Sequence, residues 1–267
     1  MITAIRTYIN RKWALSLKIL PLVFGVVFFK MLFNHFGWEF IELNALFTSL
    51  VTGTVFLMGF LLSGVLSDYK ESEKIPVELV ASLETMADEA EVIFIARKAP
   101  EAGDFAWALA GFTAHLLDWF YKKVSTRELL QELRGLNRHI HALEKLTQAN
   151  FVTRVKQEQN NLRKLLLRVH TIRETAFIQS GYAIAEVVSW LLFIALLFMK
   201  LDPLVESLFF ITPIAYLFIY MLALIRDLDN PFDYSGKERP AEEISLHELH
   251  AWVERMDERL KAFSGTN

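Results

Sequence analysis

Cysteine is absent from the 267 residues of this chain. Its absence excludes disulfide bonds, zinc or iron–sulfur sites with Cys ligands, and Cys nucleophiles. Proline and glycine are scarce, with 7 and 11 residues scattered along the chain, so no linker marks off a separate soluble domain. The chain also has no excess of positive charge: its net charge is −3 and its pI is near 6.2. We therefore expect no nucleic-acid partner and treat residues 1–267 as a single unit.

Signatures of catalytic sites are missing as well. The sequence contains no Gly-rich phosphate loop, no GxSxG nucleophile turn and no HExxH metal motif, and each of these chemistries needs its own residue pattern. His247 and His250 are three residues apart and can share a helix face, but no acid or Cys at metal-ligand spacing accompanies them. We predict a solvated helix there, with a metal site as the weaker alternative. We also predict that the protein is not an enzyme and holds no metal or cofactor.

Hydrophobic residues are abundant: they make up 53% of the chain and include 22 Phe. They concentrate in four runs, each close to the roughly 20 residues that cross a bilayer as a helix. The runs span about residues 13–33, 45–66, 181–199 and 204–225. Because the other segments carry helical patterns and no strand-like alternation, we predict an all-α membrane protein with four transmembrane helices and a helical cytoplasmic region.

Few charged residues interrupt the apolar runs. Lys18 and Lys30 lie near the two ends of the first run, where their long side chains are expected to extend to the lipid headgroups. Glu186 lies inside the third run. An ionisable residue at such a position is a functional candidate, and a structural hydrogen bond is the alternative interpretation.

The distribution of Lys and Arg predicts the orientation in the membrane. The segment before the first run is basic, the loop 34–43 has neither Lys nor Arg, and residues 68–180 are rich in both. We therefore predict that both termini, the segment 68–180 and the tail 226–267 are cytoplasmic. Trp13 and Trp38 are expected to anchor the first helix at the two membrane surfaces.

The predicted cytoplasmic region consists of helices. Pro76 suits the first turn of one helix, a second is predicted to begin near Asp104, and Ser125 with Glu128 forms a capping box before a third. The second helix has an apolar stripe formed by Phe105, Leu109, Phe112, Leu116 and Phe120. A longer, charged helix is predicted over about 150–175, and a last helix follows in the tail.

The second apolar run combines small and polar residues with large ones. Thr52, Phe56 and Phe60 are spaced by four residues and therefore lie on one face of a helix. Gly59 lies beside Phe60, and small residues let neighbouring helices approach closely. Taken alone, this pattern favours ordinary packing between helices over a functional site.

The chain as a whole resembles the bestrophins, and in particular the shorter bacterial members. One motif that carries the resemblance is the Phe-Leu-Met-Gly-Phe segment 56–60 in the second run. The other follows the fourth run and consists of Asp229, Asn230, Pro231 and Phe232. The separation of the two motifs, the four apolar runs and the long helical insert also fit, and the resemblance covers about residues 12–236.

The resemblance implies a homopentamer in a bacterial inner membrane with one central pore, whose narrow neck is lined by the second span. By position, the neck rings are Thr52, Phe56 and Phe60, with Gly59 as a packing residue of the neck helix. Three rings one turn apart make a constriction about 12 Å long, which can gate by dewetting. A second, cytoplasmic constriction is expected near Phe151. The implied function is conduction of small monovalent ions, with anions such as chloride favoured by the positive edges of the Phe rings.

Two departures from the family pattern bear on function. Thr52 stands where the family usually has an aliphatic residue. The turn after Phe232 lacks the acidic cluster that helps animal members bind Ca²⁺, so Ca²⁺ activation is not expected. Because some bacterial relatives pass cations, a cation-selective channel stays open as an alternative, as does a non-conducting scaffold or signalling protein. A secondary transporter is disfavoured, since the spans show no internal repeat.

Overall fold

The computed structural model describes residues 2–174, 179–234 and 243–263, and most of this part of the chain is helical. Its elements in chain order are α1 (Ile2–His35), β1 (Ile41–Glu42), α2 (Ala45–Ser72), α3 (Ile75–Arg97), α4 (Pro100–Phe120), α5 (Thr126–Gly135), α6 (Asn137–Glu144), α7 (Ala149–Glu174), α8 (Gln179–Phe198), β2 (Met199–Lys200), α9 (Leu204–Asp229) and α10 (His247–Phe263). The chain divides into two compact units, which are described separately. The described residues of the first unit are 2–69 and 179–230, and those of the second are 70–174, 231–234 and 243–263.

The first unit contains four helical segments that are long and apolar enough to cross a membrane. They lie in α1, α2, α8 and α9, so the four apolar runs predicted from the sequence are confirmed as helices. Helix α1 packs against α8 and α9. The buried face of α2, with Met58, Leu61 and Val65, shares a hydrophobic core with Leu192 of α8 and Phe218 of α9.

The prediction of a chain without β-structure is wrong at one place. Ile41 and Glu42 pair in parallel with Met199 and Lys200. The amide of Phe40 extends the pairing by donating to the carbonyl of Phe198, with an N–O distance of 3.0 Å. Strands of two residues are too short to show an alternating apolar–polar pattern in the sequence.

The prediction that Lys30 extends to the lipid headgroups is also wrong. Its side chain is fully buried, and its ammonium lies 2.6 Å from the carboxylate of Glu39. The partner follows the turn after α1, so the chain neutralises this charge itself instead of bringing it to water. Lys18, in contrast, is exposed, as expected.

The end of α1 is shaped by a glycine with a positive φ angle. Gly37 has a φ of +67°, a conformation that costs a side-chain-bearing residue energy. The amide of Gly37 donates to the carbonyl of Asn34 at 3.1 Å, and the amide of Trp38 donates to that of Phe33 at 3.0 Å. These two hydrogen bonds form a Schellman motif. The edge-to-face contact of Phe33 with Trp38 is the hydrophobic contact that usually accompanies this motif.

The second unit is a helical bundle around the apolar stripe of α4. All five residues predicted for that stripe are buried. The helix begins at Pro100 instead of near Asp104, because Pro100 occupies the first turn, where a missing amide proton costs nothing. The capping box of Ser125 and Glu128 is present at the start of α5. The predicted charged helix is α7, which the structure describes as far as Glu174.

The Gly37 turn makes a testable prediction. Gly37→Ala should destabilise the protein by about 1 kcal/mol, since Ala pays the steric cost of the left-handed conformation. Thermal unfolding of the purified protein in detergent measures the change. Gly25→Ala, inside α1 and with no atom within 4 Å of an added Cβ, is the matched control and should be neutral or stabilising by about 0.5–1 kcal/mol. Equal effects of the two substitutions would contradict this account of the turn.

Candidate functional site

One face of α2 is left uncovered by the rest of the described chain. We call it the α2 stripe; it consists of Ser49, Thr52, Phe56, Gly59, Phe60 and Ser63, all of which are exposed. Its two phenylalanines have 76% and 67% of their surface exposed, whereas Met58 on the opposite face has none. Two large aromatic side chains thus project from a helix whose other face is packed into a hydrophobic core.

Hydroxyl groups of the α2 stripe are turned back into the helix. The hydroxyl of Thr52 donates to the carbonyl of Thr48 at 2.9 Å, and that of Ser49 donates to the carbonyl of Ala45 at 2.8 Å. Each hydroxyl has one proton to donate and two lone pairs. At these two positions the stripe therefore offers acceptor oxygens to its surroundings.

Gly59 has no close neighbour among the described residues. A Cβ added to it would meet no atom within 4 Å, so no other described part of this chain packs against this point of α2. Its role in packing the neck helix stays a prediction, and so do the neck roles of Thr52, Phe56 and Phe60. The structure does bring these residues together on one exposed face, as the spacing predicts.

The motif after the fourth apolar helix is anchored at both of its ends. Asp229 closes α9 and accepts a 2.6 Å hydrogen bond from the hydroxyl of Tyr182 in α8. Phe232 is fully buried in the second unit, with its ring centre 6.0 Å from that of Phe120. The carbonyl of Pro231 accepts a hydrogen bond from the amide of Ile244 at 3.2 Å. The side-chain oxygen of Asn230, the second residue of the motif, is buried.

Arg173 holds Phe232 in place and was missed by sequence reasoning. Its guanidinium donates to the carbonyls of Phe120 at 2.8 Å, Trp119 at 3.2 Å and Phe232 at 3.3 Å. It also lies over the ring of Trp119, 4.6 Å from the ring centre. Burial lowers the pKa of Arg173, but an arginine stays charged in proteins. A single arginine near the end of a charged helix gives no sequence signal for this role.

Phe151, the predicted cytoplasmic constriction, lies in the first turn of α7 and is half-buried. The guanidinium of Arg154 lies 5.8 Å from its ring centre, and Arg154 in turn pairs with the buried carboxylate of Glu89 on α3. Its role as a constriction stays a prediction.

Glu186 makes a hydrogen bond of the kind named in the alternative interpretation. Its carboxylate accepts a hydrogen bond from Arg226 of α9, so the charge inside the third apolar run is paired with a neighbouring helix. Within residues 2–174, 179–234 and 243–263, no three His, Asp or Glu side chains come together as metal ligands would.

Solved structures with the same fold include bacterial bestrophin homologues. A bestrophin homologue from Klebsiella pneumoniae matches with a TM-score of 0.74 at 15% sequence identity, over 93% of this chain and 99% of that chain. A single-residue variant of that homologue matches with a TM-score of 0.73 at 17% identity, over 93% and 100% of the two chains. A further variant structure, described only as a membrane protein, gives a TM-score of 0.75 at 16% identity over 92% and 98%. No sequence-family model and no curated protein sequence matches the chain.

The fold thus defines a helical membrane protein with four apolar helices. Within that class, the chain has the fold of the bacterial bestrophin homologues. This confirms, for the fold, the resemblance predicted from the segment 56–60 and the motif 229–232.

The contacts of Arg173 predict the effect of its replacement. Arg173→Lys removes the planar fork that reaches three carbonyls, and hydrogen bonds to charged groups contribute about 1.5–3 kcal/mol each, so a loss of about 2 kcal/mol is expected. Thermal unfolding in detergent checks this. Arg168→Lys on the same helix is the control: its guanidinium is half-exposed, 3.4 Å from the carboxylate of Glu71, and the change should cost less than about 1 kcal/mol. A loss at position 173 no larger than at position 168 would contradict the anchoring role.

Proposed function

We propose that this protein is a bestrophin-type ion channel. Five copies of the whole chain surround one central pore, through which small monovalent ions pass passively, with anions such as chloride favoured. The protein is not an enzyme and uses no cofactor. It lies in a bacterial inner membrane, which it crosses with four helices, and both termini are cytoplasmic. The fold shared with bacterial bestrophin homologues supports this proposal.

The observation that carries the proposal is the uncovered α2 stripe. Phe56 and Phe60 are exposed on a helix of bilayer-crossing length, and the described part of their own chain does not cover them. One stripe on one helix cannot enclose a pore, but a closed ring of copies joined head to tail can. Thr52, Phe56 and Phe60 then form the neck, and Gly59 allows neighbouring neck helices to come close.

The anion preference follows from the two phenylalanine rings. Phe56 and Phe60 are four residues apart, so their rings lie about 6 Å apart along the pore axis. The edges of aromatic rings carry partial positive charge, and edges turned towards the axis favour anions. An apolar section of this kind also opposes wetting and can close the pore. Phe151 forms the second, cytoplasmic constriction of the same pathway.

A cation preference is the second candidate, and a specific observation favours it. The hydroxyls of Ser49 and Thr52 donate their protons to helix carbonyls. Their oxygens are therefore available to the surroundings only as hydrogen-bond acceptors. Acceptor oxygens interact favourably with cations and give an anion no hydrogen-bond donor. The two candidates differ in which part of the α2 stripe controls permeation.

Ion flux through the purified protein tests the function. Reconstituted in liposomes with unequal KCl on the two sides, the protein should pass current that reverses near the chloride equilibrium potential. Native mass spectrometry of the protein in mild detergent should find a pentamer. Reversal near the potassium potential would establish the cation candidate. Absence of flux together with a monomer or dimer would reject the channel and favour a scaffold.

Replacement of the neck phenylalanines tests the pore-lining face. Phe56→Ala and Phe60→Ala each remove five rings from a symmetric pentamer, so the neck widens and wets more easily. Flux should rise, and the anion preference should weaken in both variants. The readouts are liposome flux, reversal potential and pentamer melting.

Phe47→Ala on the same helix is the control for packing. Phe47 is buried in the core of the first unit, so its removal should cost about 3–5 kcal/mol of stability by leaving a cavity, without a gain in flux. If Phe56→Ala and Phe60→Ala behave as Phe47→Ala does, the two residues are packing residues and the neck assignment fails.

A further inference from the structure

A buried lysine lies at the end of α1, inside a stretch long enough to cross a membrane. The ammonium of Lys30 lies 2.6 Å from Oε1 of Glu39. It also donates to the carbonyl of Leu197, at 3.4 Å, and to the carbonyl of Met199. The ammonium thus lies close to three oxygens, one of a carboxylate and two of backbone carbonyls. The lysine thereby joins α1 to the last turn of α8 and to β2.

The carboxylate of Glu39 is held equally closely. Its side chain is 6% exposed, and its second oxygen, Oε2, accepts a hydrogen bond from the amide of Asn34 at 3.0 Å. We call this group the Lys30 clasp: the side chains of Lys30, Asn34 and Glu39 with the carbonyls of Leu197 and Met199. Removing two charges from water is costly, and a buried pair adds little stability compared with apolar residues. What such a pair supplies is a defined geometry.

The chain leads directly from the clasp into helix α2. Phe40, next to Glu39, donates its amide proton to the last residue of α8, and Ile41 and Glu42 pair with the two residues after it. Asn44 then caps the helix, because its side-chain oxygen accepts from the amide of Phe47 at 2.9 Å. Backbone and side-chain contacts therefore fix almost every residue between Glu39 and the first turn of α2.

The start of a helix sets which of its faces points where. Each residue turns an α-helix by about 100°, so a slip of one residue at the start of α2 would present Gly53 and Leu57 in place of Thr52 and Phe56. We propose that the Lys30 clasp sets the rotational position of α2 and thereby keeps the α2 stripe facing the pore. Lys30 and Glu39 are then positioning residues for permeation. The inference rests on the proposed function, since it takes the stripe as the pore lining.

The absence of cysteine allows a direct test. Ser49→Cys places a thiol on the α2 stripe, and Leu50→Cys places one at the next, half-buried position. The full-length protein in liposomes is treated with a membrane-impermeant, water-soluble methanethiosulfonate reagent. With the clasp intact, the thiol at position 49 should react much faster than that at position 50. Adding Glu39→Gln leaves Lys30 without its counter-charge, and the ratio of the two rates should fall towards one.

Two further variants separate positioning from damage to the fold. Glu42→Gln makes the same chemical change on an exposed side chain three residues along and should leave the ratio unchanged. Lys30→Met combined with Glu39→Gln removes both charges, so that no unpaired charge stays buried. The double variant still lacks the bonds to the carbonyls of Leu197 and Met199, and its ratio should stay low. Native mass spectrometry checks the assembly of each variant. If Glu39→Gln alone does not assemble, the ratio measured in the double variant decides whether the clasp has a positioning role.

The outcomes distinguish this proposal from the proposed function. An unchanged ratio in the clasp variants, or its recovery in the double variant, would overturn the positioning role and leave the neck assignment standing. An unreactive thiol at position 49 with the clasp intact would overturn the neck assignment, and the positioning role with it.

Discussion

Hydrocarbon offers no hydrogen bonds, and every polar group inside the apolar helices must find its partner within the protein. Three kinds of contact in the structure meet this constraint. Helices satisfy their own backbone, and side-chain hydroxyls such as that of Thr52 donate to a carbonyl one turn earlier. Two of the charges inside the apolar runs are paired: Lys30 with Glu39, and Glu186 with Arg226. Hydrogen bonds between these helices also include those of Tyr182 to Asp229 and of Tyr216 to Ser16, and such polar contacts define specific positions within an apolar core.

Helix α2 differs from its neighbours in what it leaves uncovered. Its Met58 face is part of the hydrophobic core with α8 and α9, and its Phe56 face is not covered by the described chain. A lipid-facing helix surface commonly consists of apolar residues throughout, but this face of α2 combines aromatic rings with glycine and hydroxyl groups. Such a mixture suits a surface that meets copies of itself and water more than it suits lipid. The pore proposal depends on this contrast between the two faces.

The motif after α9 is anchored at two places. Asp229 is bound by Tyr182 in the first unit, and Phe232 is buried in the second, where the Arg173 guanidinium holds its carbonyl. An arginine that binds three carbonyls and an aromatic face is well suited to fixing a turn, because its planar fork can satisfy several acceptors at once. The motif residues therefore serve to place the chain as it leaves the last apolar helix.

Local patterns were sufficient for the helices. The four apolar runs, the buried stripe from Phe105 to Phe120 and the capping box at Ser125 follow from composition and from the 3.6-residue period, and the structure has all of them. The same period places Thr52, Phe56 and Phe60 on one face of α2. These features depend on neighbours a few residues away, which a single sequence displays directly.

The tertiary structure alone decided which groups meet across the chain. Lys30 donates a hydrogen bond to the carbonyl of Leu197, 167 residues away, and Arg173 donates one to the carbonyl of Phe232. No spacing or motif in the sequence predicts either pair. The β1–β2 pairing is of the same kind. Packing of α8 and α9 on one side of α2 also decided that Met58 is buried and Phe56 uncovered. Partners distant in sequence are selected by the three-dimensional packing of whole helices, and no local period records that choice.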